Sequence, residues 1–159
     1  MTSRHEARLA AVQFLFQRDF NPGDLEPALR DFWAARGGKE RVREFAEALV
    51  RGVEEHRAEL DVLLGRYAEH WEVGRMGAVD RNVMRVALFE MYHRPDIPPV
   101  VSINEAVELA KEFGGLESGR FVNGVLDRAC RELPRPARSA VAEYERFRGG
   151  KGAADGHVD

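Results

Sequence analysis

Apolar side chains recur at helical spacing along almost the whole chain. In the first segment, one face carries Leu9, Val12, Phe16 and Phe20, which are three or four residues apart. No run shows the sustained alternation of apolar and polar residues that is typical of a half-buried strand. The sequence therefore predicts an all-α fold.

Turn residues divide this pattern into about seven helices. The stretch from Lys39 to Trp71 is long for one globular helix, so we expect a break near Gly52–Arg57. The stretch from Ala78 to Arg94 is apolar nearly all round, which is typical of a helix at the centre of a bundle. The other predicted helices are Ser3–Phe20, a short one that Asp24 caps and Gly37–Gly38 ends, Ser102–Phe113 and Ser118–Leu133.

Length and composition predict one domain with a tail. A chain of 159 residues can bury one core, which we place in residues 1–133. Residues 134–159 are rich in glycine and small side chains, and we expect them to be largely disordered. No apolar run approaches the roughly 20 residues of a membrane span. The N-terminus has no apolar signal core, so we expect a cytoplasmic protein.

The sequence offers no catalytic motif. Cys130 is the only cysteine, which excludes an internal disulfide and a CxxC pair. The motifs GxSxG, GxGxxG and GxxxxGK[ST] are all missing. The histidines lie far apart along the chain and lack metal-ligand spacing; they are His5, His56, His70, His93 and His157. We therefore predict a protein that is not an enzyme and needs no metal and no cofactor.

Net charge gives no general attraction to nucleic acid. The chain has 24 basic and 27 acidic residues and a net charge of −3. Any RNA binding must therefore come from a local patch.

Two motifs near the C-terminal end of the predicted domain are the most specific feature of the chain. Ser102 and Glu105 have capping-box spacing after Pro98 and Pro99, which predicts a helix that starts at Ser102. Residues 103–111 read INEAVELAK, and residues 121–127 read FVNGVLD after a glycine turn. Together they closely resemble the signature of the NusB family of transcription antitermination factors, and the resemblance extends over residues 3–133.

The resemblance implies both a fold and a function. The expected fold is a helical domain of two packed three-helix groups. The expected function is to bind the boxA element of nascent ribosomal RNA transcripts jointly with the ribosomal protein NusE. With other Nus factors, the pair would join the RNA polymerase elongation complex and suppress premature termination.

Phe121 is the leading candidate for RNA contact. On an ideal helix it lies roughly 100° from the stripe of Val122, Val125, Leu126, Ala129 and Leu133, so it is predicted at the rim. There it could stack on a base beside Arg120, or simply pack under the preceding loop. The resemblance favours the RNA role. The residues that it assigns to RNA binding are Arg4, Arg8, Glu117, Ser118, Arg120 and Phe121.

The N-terminal arginines depart from the family pattern. Relatives commonly begin with a denser arginine cluster, whereas this chain reads Arg4–His5–Glu6–Ala7–Arg8. Arg4 and Arg8 can neutralise phosphates, but Glu6 opposes them. We therefore expect weak RNA binding with a shallow salt dependence.

A second motif suggests a protein partner. Residues 80–91, DRNVMRVALFEM, resemble the family helix whose first acidic residue faces an arginine of NusE. The resemblance assigns Asp80 and Phe16 to NusE binding. Many relatives have tyrosine at the Phe16 position, so one interface hydrogen bond is lost here. Asp80 could equally be an acid that complements a helix dipole and needs no partner.

Two other functions remain open from the sequence. The same helical domain occurs at the N-terminus of ribosomal RNA cytosine methyltransferases, where it helps to bind RNA, and the first alternative is such an RNA-binding domain without a catalytic domain. A scaffold or homodimer without an RNA role is the second alternative. RNA binding by the purified protein would separate the scaffold from the other functions.

Overall fold

A computed structural model describes residues 2–68 and 76–133, and every regular element in these ranges is an α-helix. The predicted all-α fold is confirmed. The predicted end near Trp71, most of the loop at 73–77 and the extension at 134–159 lie outside the described residues. The helices are α1 Ser3–Phe20, α2 Leu25–Arg36, α3 Glu40–Glu55, α4 Arg57–Tyr67, α5 Ala78–His93 and α6 Pro99–Arg131.

Local signals explain the ends of the first two helices. Thr2 caps α1, since its hydroxyl accepts a hydrogen bond from the His5 N–H at 3.0 Å. Asp24 occupies the N-cap of α2 as predicted, but its side chain makes no cap hydrogen bond. Helix α2 ends before Gly37, whose φ of 72° is a left-handed conformation that favours glycine.

The break predicted in the third segment is confirmed. Helix α3 ends at Glu55 and α4 begins at Arg57, with His56 between them. Gly52, one turn earlier, lies against Phe89 of α5. A Cβ at Gly52 would lie 2.1 Å from the Phe89 ring, so glycine is what allows α3 to approach α5 this closely.

Helix α5 is the centre of the bundle, as its sequence predicts. All ten residues from Asn82 to Met91 are buried. Helices α1 to α3 form one group and α4 to α6 the other, and α5 joins the two groups through its contacts with α1 and α3. Helix α2 packs on α1 through Phe14 and Phe32, whose ring centroids are 5.3 Å apart.

Helix α6 differs from the prediction in its start. It begins at Pro99, with Pro98 as the N-cap, so the predicted start at Ser102 is wrong. Proline is well tolerated in the first helical turn, where its missing N–H would have no helical partner. Ser102 lies inside the helix, and its hydroxyl donates to Glu90 Oε1 at 2.5 Å instead of capping. Gly115, with φ 82° and ψ −171°, divides α6 into two arms, which brings the helical segments to about seven.

Candidate nucleic-acid and protein interface

Asp80 and Ser118 bring the two predicted binding surfaces into contact. Asp80 lies in the first turn of α5, and Ser118 lies near the start of the second arm of α6. The Ser118 hydroxyl donates a hydrogen bond to Asp80 Oδ2 at 3.2 Å. Both residues are partly buried. Burial raises the pKa of the Asp80 carboxyl, and the hydrogen bond from Ser118 offsets only part of that effect.

The glycine turn in α6 sets the position of Ser118. A Cβ at Gly114 would lie 2.2 Å from the Ser118 hydroxyl oxygen. Gly115, at φ 82°, supplies the left-handed residue that separates the two arms. The two glycines therefore let the chain turn while Ser118 stays within reach of Asp80.

Phe121 lies at the rim of α6, as the helical geometry predicts. The stripe of Val122, Val125, Leu126, Ala129 and Leu133 is buried, whereas Phe121 is only partly buried and packs against the edge of the core. Its neighbours Glu117 and Arg120 are exposed. The predicted RNA-binding residues of α6 therefore lie together on and beside one accessible edge.

Arg4 and Arg8 occupy different environments. The Arg4 guanidinium lies 4.5 Å from the centre of the Phe45 ring and remains partly exposed. Arg8 is 2% exposed, and its Nε donates to Glu90 Oε2 at 2.8 Å. The prediction that Arg8 neutralises a phosphate does not fit this position, because a buried ion pair with Glu90 already uses its charge.

Glu90 is the centre of a buried polar network that sequence reasoning missed. It accepts hydrogen bonds from Arg8 of α1 and Ser102 of α6, so it ties three helices together. Glu105 extends the network, with Oε1 2.5 Å from His5 Nδ1 and 3.8 Å from Arg8 Nη1. The family-like motif at 80–91 contains Glu90, but nothing in its spacing reveals partners on α1 and α6.

A groove lies beside Phe16, a residue that the sequence predicts to contact a protein partner. It has a volume of about 790 Å³ and lies mainly between α1 and α2. Phe16 lines it and is 36% exposed, and the groove reaches Phe113 of α6 and Val79, the residue before Asp80. Phe20, Phe113 and Leu116 are also exposed apolar side chains. Such a concentration of exposed aromatic residues is typical of a protein-binding surface.

Two further observations bear on the class of protein. Cys130 is fully buried in the second arm of α6. None of the helices in the described ranges is long and apolar enough to cross a membrane.

Known proteins share both the sequence and this fold. Residues 5–131 match the sequence profile of the NusB family. The transcription antitermination protein NusB of Desulfosudis oleivorans is 46% identical over 136 residues, which cover 84% of this chain and 88% of that protein. A NusB structure from T. maritima has 39% sequence identity and a TM-score of 0.78, covering 87% of this chain and 99% of that chain.

A more distant structure shares the fold. It contains the antitermination factors NusB and NusE in complex with double-stranded RNA, and its matched chain has 24% identity and a TM-score of 0.72. The match covers 92% of this chain and 98% of that one. The sequence profile and the closely related protein, each covering most of the chain, show that this chain belongs to the NusB family.

Proposed function

We propose that the protein is a cytoplasmic transcription antitermination factor that binds boxA RNA jointly with NusE. The RNA is the boxA element of nascent ribosomal RNA transcripts. The pair then acts, with other Nus factors, on the RNA polymerase elongation complex. Two findings support this proposal. A related protein is named as a transcription antitermination protein, and a structure of the same fold contains NusB in complex with NusE and RNA. The protein is a binding factor and catalyses no reaction.

The hydrogen bond between Ser118 and Asp80 is the observation that carries the proposal. It joins the residue proposed to face NusE to a residue proposed to contact RNA. A partner that fixes Asp80 would also restrict Ser118 and the arm of α6 that carries Arg120 and Phe121. Such a connection supports joint binding, since a ligand that orders a shared element reduces the cost of binding the second ligand.

The protein-binding surface is proposed to be the groove of Phe16 together with Asp80. The aromatic wall offers apolar area, and Asp80 offers a negative charge in the first turn of α5. An arginine of the partner, which can pair with a carboxylate and stack on aromatic rings, suits this combination. This is the arrangement that the family resemblance implies.

The RNA-binding surface is proposed to comprise Arg4, Glu117, Ser118, Arg120 and Phe121, within a binding domain formed by residues 1–133. Phe121 and Arg120 supply an aromatic ring and a cation on one accessible edge of α6, which suits an unpaired base and its phosphate. Arg8 supports this surface indirectly. Its ion pair with Glu90 anchors the helix that carries Arg4 to the centre of the bundle.

A titration of fluorescent boxA RNA with and without NusE tests the proposal, with a scrambled RNA of equal length as the control. We expect weak binding by the protein alone and at least ~10-fold tighter binding with NusE, a coupling in the usual range for two linked ligands. Equal affinity for boxA and scrambled RNA, or an affinity that NusE leaves unchanged, would contradict it.

A further inference from the structure

Two histidines and one glutamate from separate elements meet at the break between α3 and α4. His56 occupies the break, Glu59 lies in the first turn of α4, and His93 is the last residue of α5. Glu59 Oε1 is 2.9 Å from His93 Nε2 and 3.3 Å from His56 Nδ1. We propose that His56, Glu59 and His93 bind a divalent transition-metal ion of the Zn²⁺ class.

The spacing of the donor atoms fits such an ion. Zinc binds histidine nitrogen and carboxylate oxygen at about 2.0–2.2 Å, so two ligands of a tetrahedral site are about 3.3 Å apart. The distance from Glu59 to His56 equals this value and the distance to His93 is 0.4 Å shorter, and one donor atom from each of the three residues lies within 4.8 Å of the others. The two rings are stacked nearly parallel, so binding requires side-chain rotations that turn the two imidazole planes toward a common point beside the Glu59 carboxylate. Water can supply the fourth ligand.

The surrounding structure already holds the two imidazole rings together. Their centroids are 3.9 Å apart, with an angle of 18° between the planes. The Phe89 ring packs against both imidazoles, and its centroid lies 6.0 Å from that of His56 and 5.6 Å from that of His93. Gly52 leaves the space that this phenylalanine needs. Much of the entropic cost of bringing the ligands together is therefore met by folding.

The type and the exposure of the ligands favour a transition metal. Two imidazoles and one carboxylate are a ligand set that zinc uses in proteins, whereas Mg²⁺ and Ca²⁺ prefer oxygen ligands alone. The side chains of His56 and His93 are each 29% exposed, and that of Glu59 is 45% exposed. An ion can therefore reach the site from solvent without opening the bundle.

A bound ion would join the α3–α4 break to the end of α5. It would stabilise the folded chain, because the separated ligands of the unfolded chain bind the metal less tightly. His93 and Asp80 stand at opposite ends of α5, about 20 Å apart at 1.5 Å per residue. Metal binding should consequently leave the surface around Asp80 unchanged.

Calorimetric titration of Zn²⁺ into metal-free protein without an affinity tag, near neutral pH, tests the site. We expect one ion per chain, a rise in Tm with added Zn²⁺, and no such response to Mg²⁺. Loss of outer-shell partners alone weakens metal binding about 10–100-fold, so Glu59→Gln and His93→Asn should weaken it at least ~10-fold. His5→Asn is the matched control. His5 also pairs with a glutamate, Glu105, but among the described residues this pair does not belong to a group of three possible metal ligands.

The outcome is decided by the site variants. Circular dichroism confirms their folding, and Glu59→Gln, at an exposed position, keeps the test valid if a histidine variant unfolds. A Co²⁺ spectrum of tetrahedral type, lost in Glu59→Gln, would give independent support. The proposal is overturned if Zn²⁺ does not bind, if Glu59→Gln binds as tightly as the unaltered protein, or if only His5→Asn loses affinity.

Discussion

Phe121 and Val125 lie one turn apart on α6 and differ in burial, which makes them a matched pair of residues. Phe121 is partly buried, whereas Val125 is 4% exposed. We expect Phe121→Ala to weaken boxA binding by about 1–3 kcal/mol, the usual contribution of one base stacked on one aromatic ring. Its effect on unfolding should stay well below the ~3–5 kcal/mol of a fully buried phenylalanine. RNA titration and urea unfolding measure the two effects.

Val125→Ala is the control for this prediction. It removes two buried methyl groups and should cost about 2 kcal/mol of stability with little specific loss of RNA affinity. If Phe121→Ala unfolds the protein, or if it leaves boxA binding intact, Phe121 serves the core and the RNA surface lies elsewhere.

Asp80 presents a partly buried carboxylate in the first turn of α5. The helix dipole favours this charge by about 0.3–1 kcal/mol, whereas burial disfavours it and raises the pKa of Asp80. A raised folded-state pKa means that the charged form costs stability at neutral pH, and that this cost disappears as the pH falls below the ordinary value of 3.8. We expect Asp80→Asn to fold with unchanged or greater stability at neutral pH, and to bind NusE more weakly.

Asp80→Arg extends the same test by reversing the charge. An interface charge reversal can cost several kcal/mol, so NusE association should weaken more than in Asp80→Asn. Calorimetry with NusE and circular dichroism give the two readouts. A folded Asp80→Arg variant that keeps full NusE affinity would show that Asp80 does not belong to the interface.

Among the elements, α1, α4 and α5 meet at Asp19. Burial alone would raise the pKa of Asp19, but hydrogen bonds from Asn82, Arg57 and Arg81 together hold it below its ordinary value of 3.8. Asp19→Asn should cost ~2 kcal/mol at neutral pH, the order of a hydrogen bond to a charged group.

The pH dependence of this cost has a definite sign. A lowered folded-state pKa gives stability that is present above pH 3.8 and is lost as the pH falls through the folded value. The difference between Asp19→Asn and the unaltered protein in urea unfolding should therefore shrink below about pH 4. Asp31→Asn, at an exposed position on α2, is the control. A difference that is constant with pH would show that Asp19 acts through packing alone.

Local patterns predicted the helices better than they predicted the contacts between them. Periodicity found α1 and α5 almost to the residue, and the length of the third segment revealed the break at His56. The predicted start of α6 was wrong because the hydroxyl of Ser102 has two possible partners. From the sequence alone it is expected to cap the nearby backbone, whereas its actual partner, Glu90, lies on another helix and is identified only in the fold.

The candidate site shows the same limit. The rim position of Phe121 follows from the geometry of one helix, so the sequence could predict it. Arg8 was expected to contact phosphate because it lies one helical turn from Arg4, a spacing typical of a solvated face, yet Glu90 draws it into the core. His56 and His93 have no ligand spacing along the chain, and the packing of Phe89 against Gly52 brings them together. Contacts between distant helices were therefore the part that could not be predicted.

For the whole molecule, the charge distribution predicts how RNA binding depends on salt. The net charge of −3 gives no general attraction to RNA, so the local cations decide the salt dependence. Because Arg8 is paired with Glu90, the cations of the proposed RNA surface are Arg4 and Arg120. Each phosphate contact on single-stranded RNA contributes a slope of about −0.7 to the plot of log K against log salt concentration, so two contacts give roughly −1 to −2 for the protein alone.

Arg120→Gln should make this slope shallower by ~0.7. Arg51→Gln should not change it, because Arg51 pairs with Glu26. A slope steeper than about −4 without NusE would require a larger cationic surface than the one proposed.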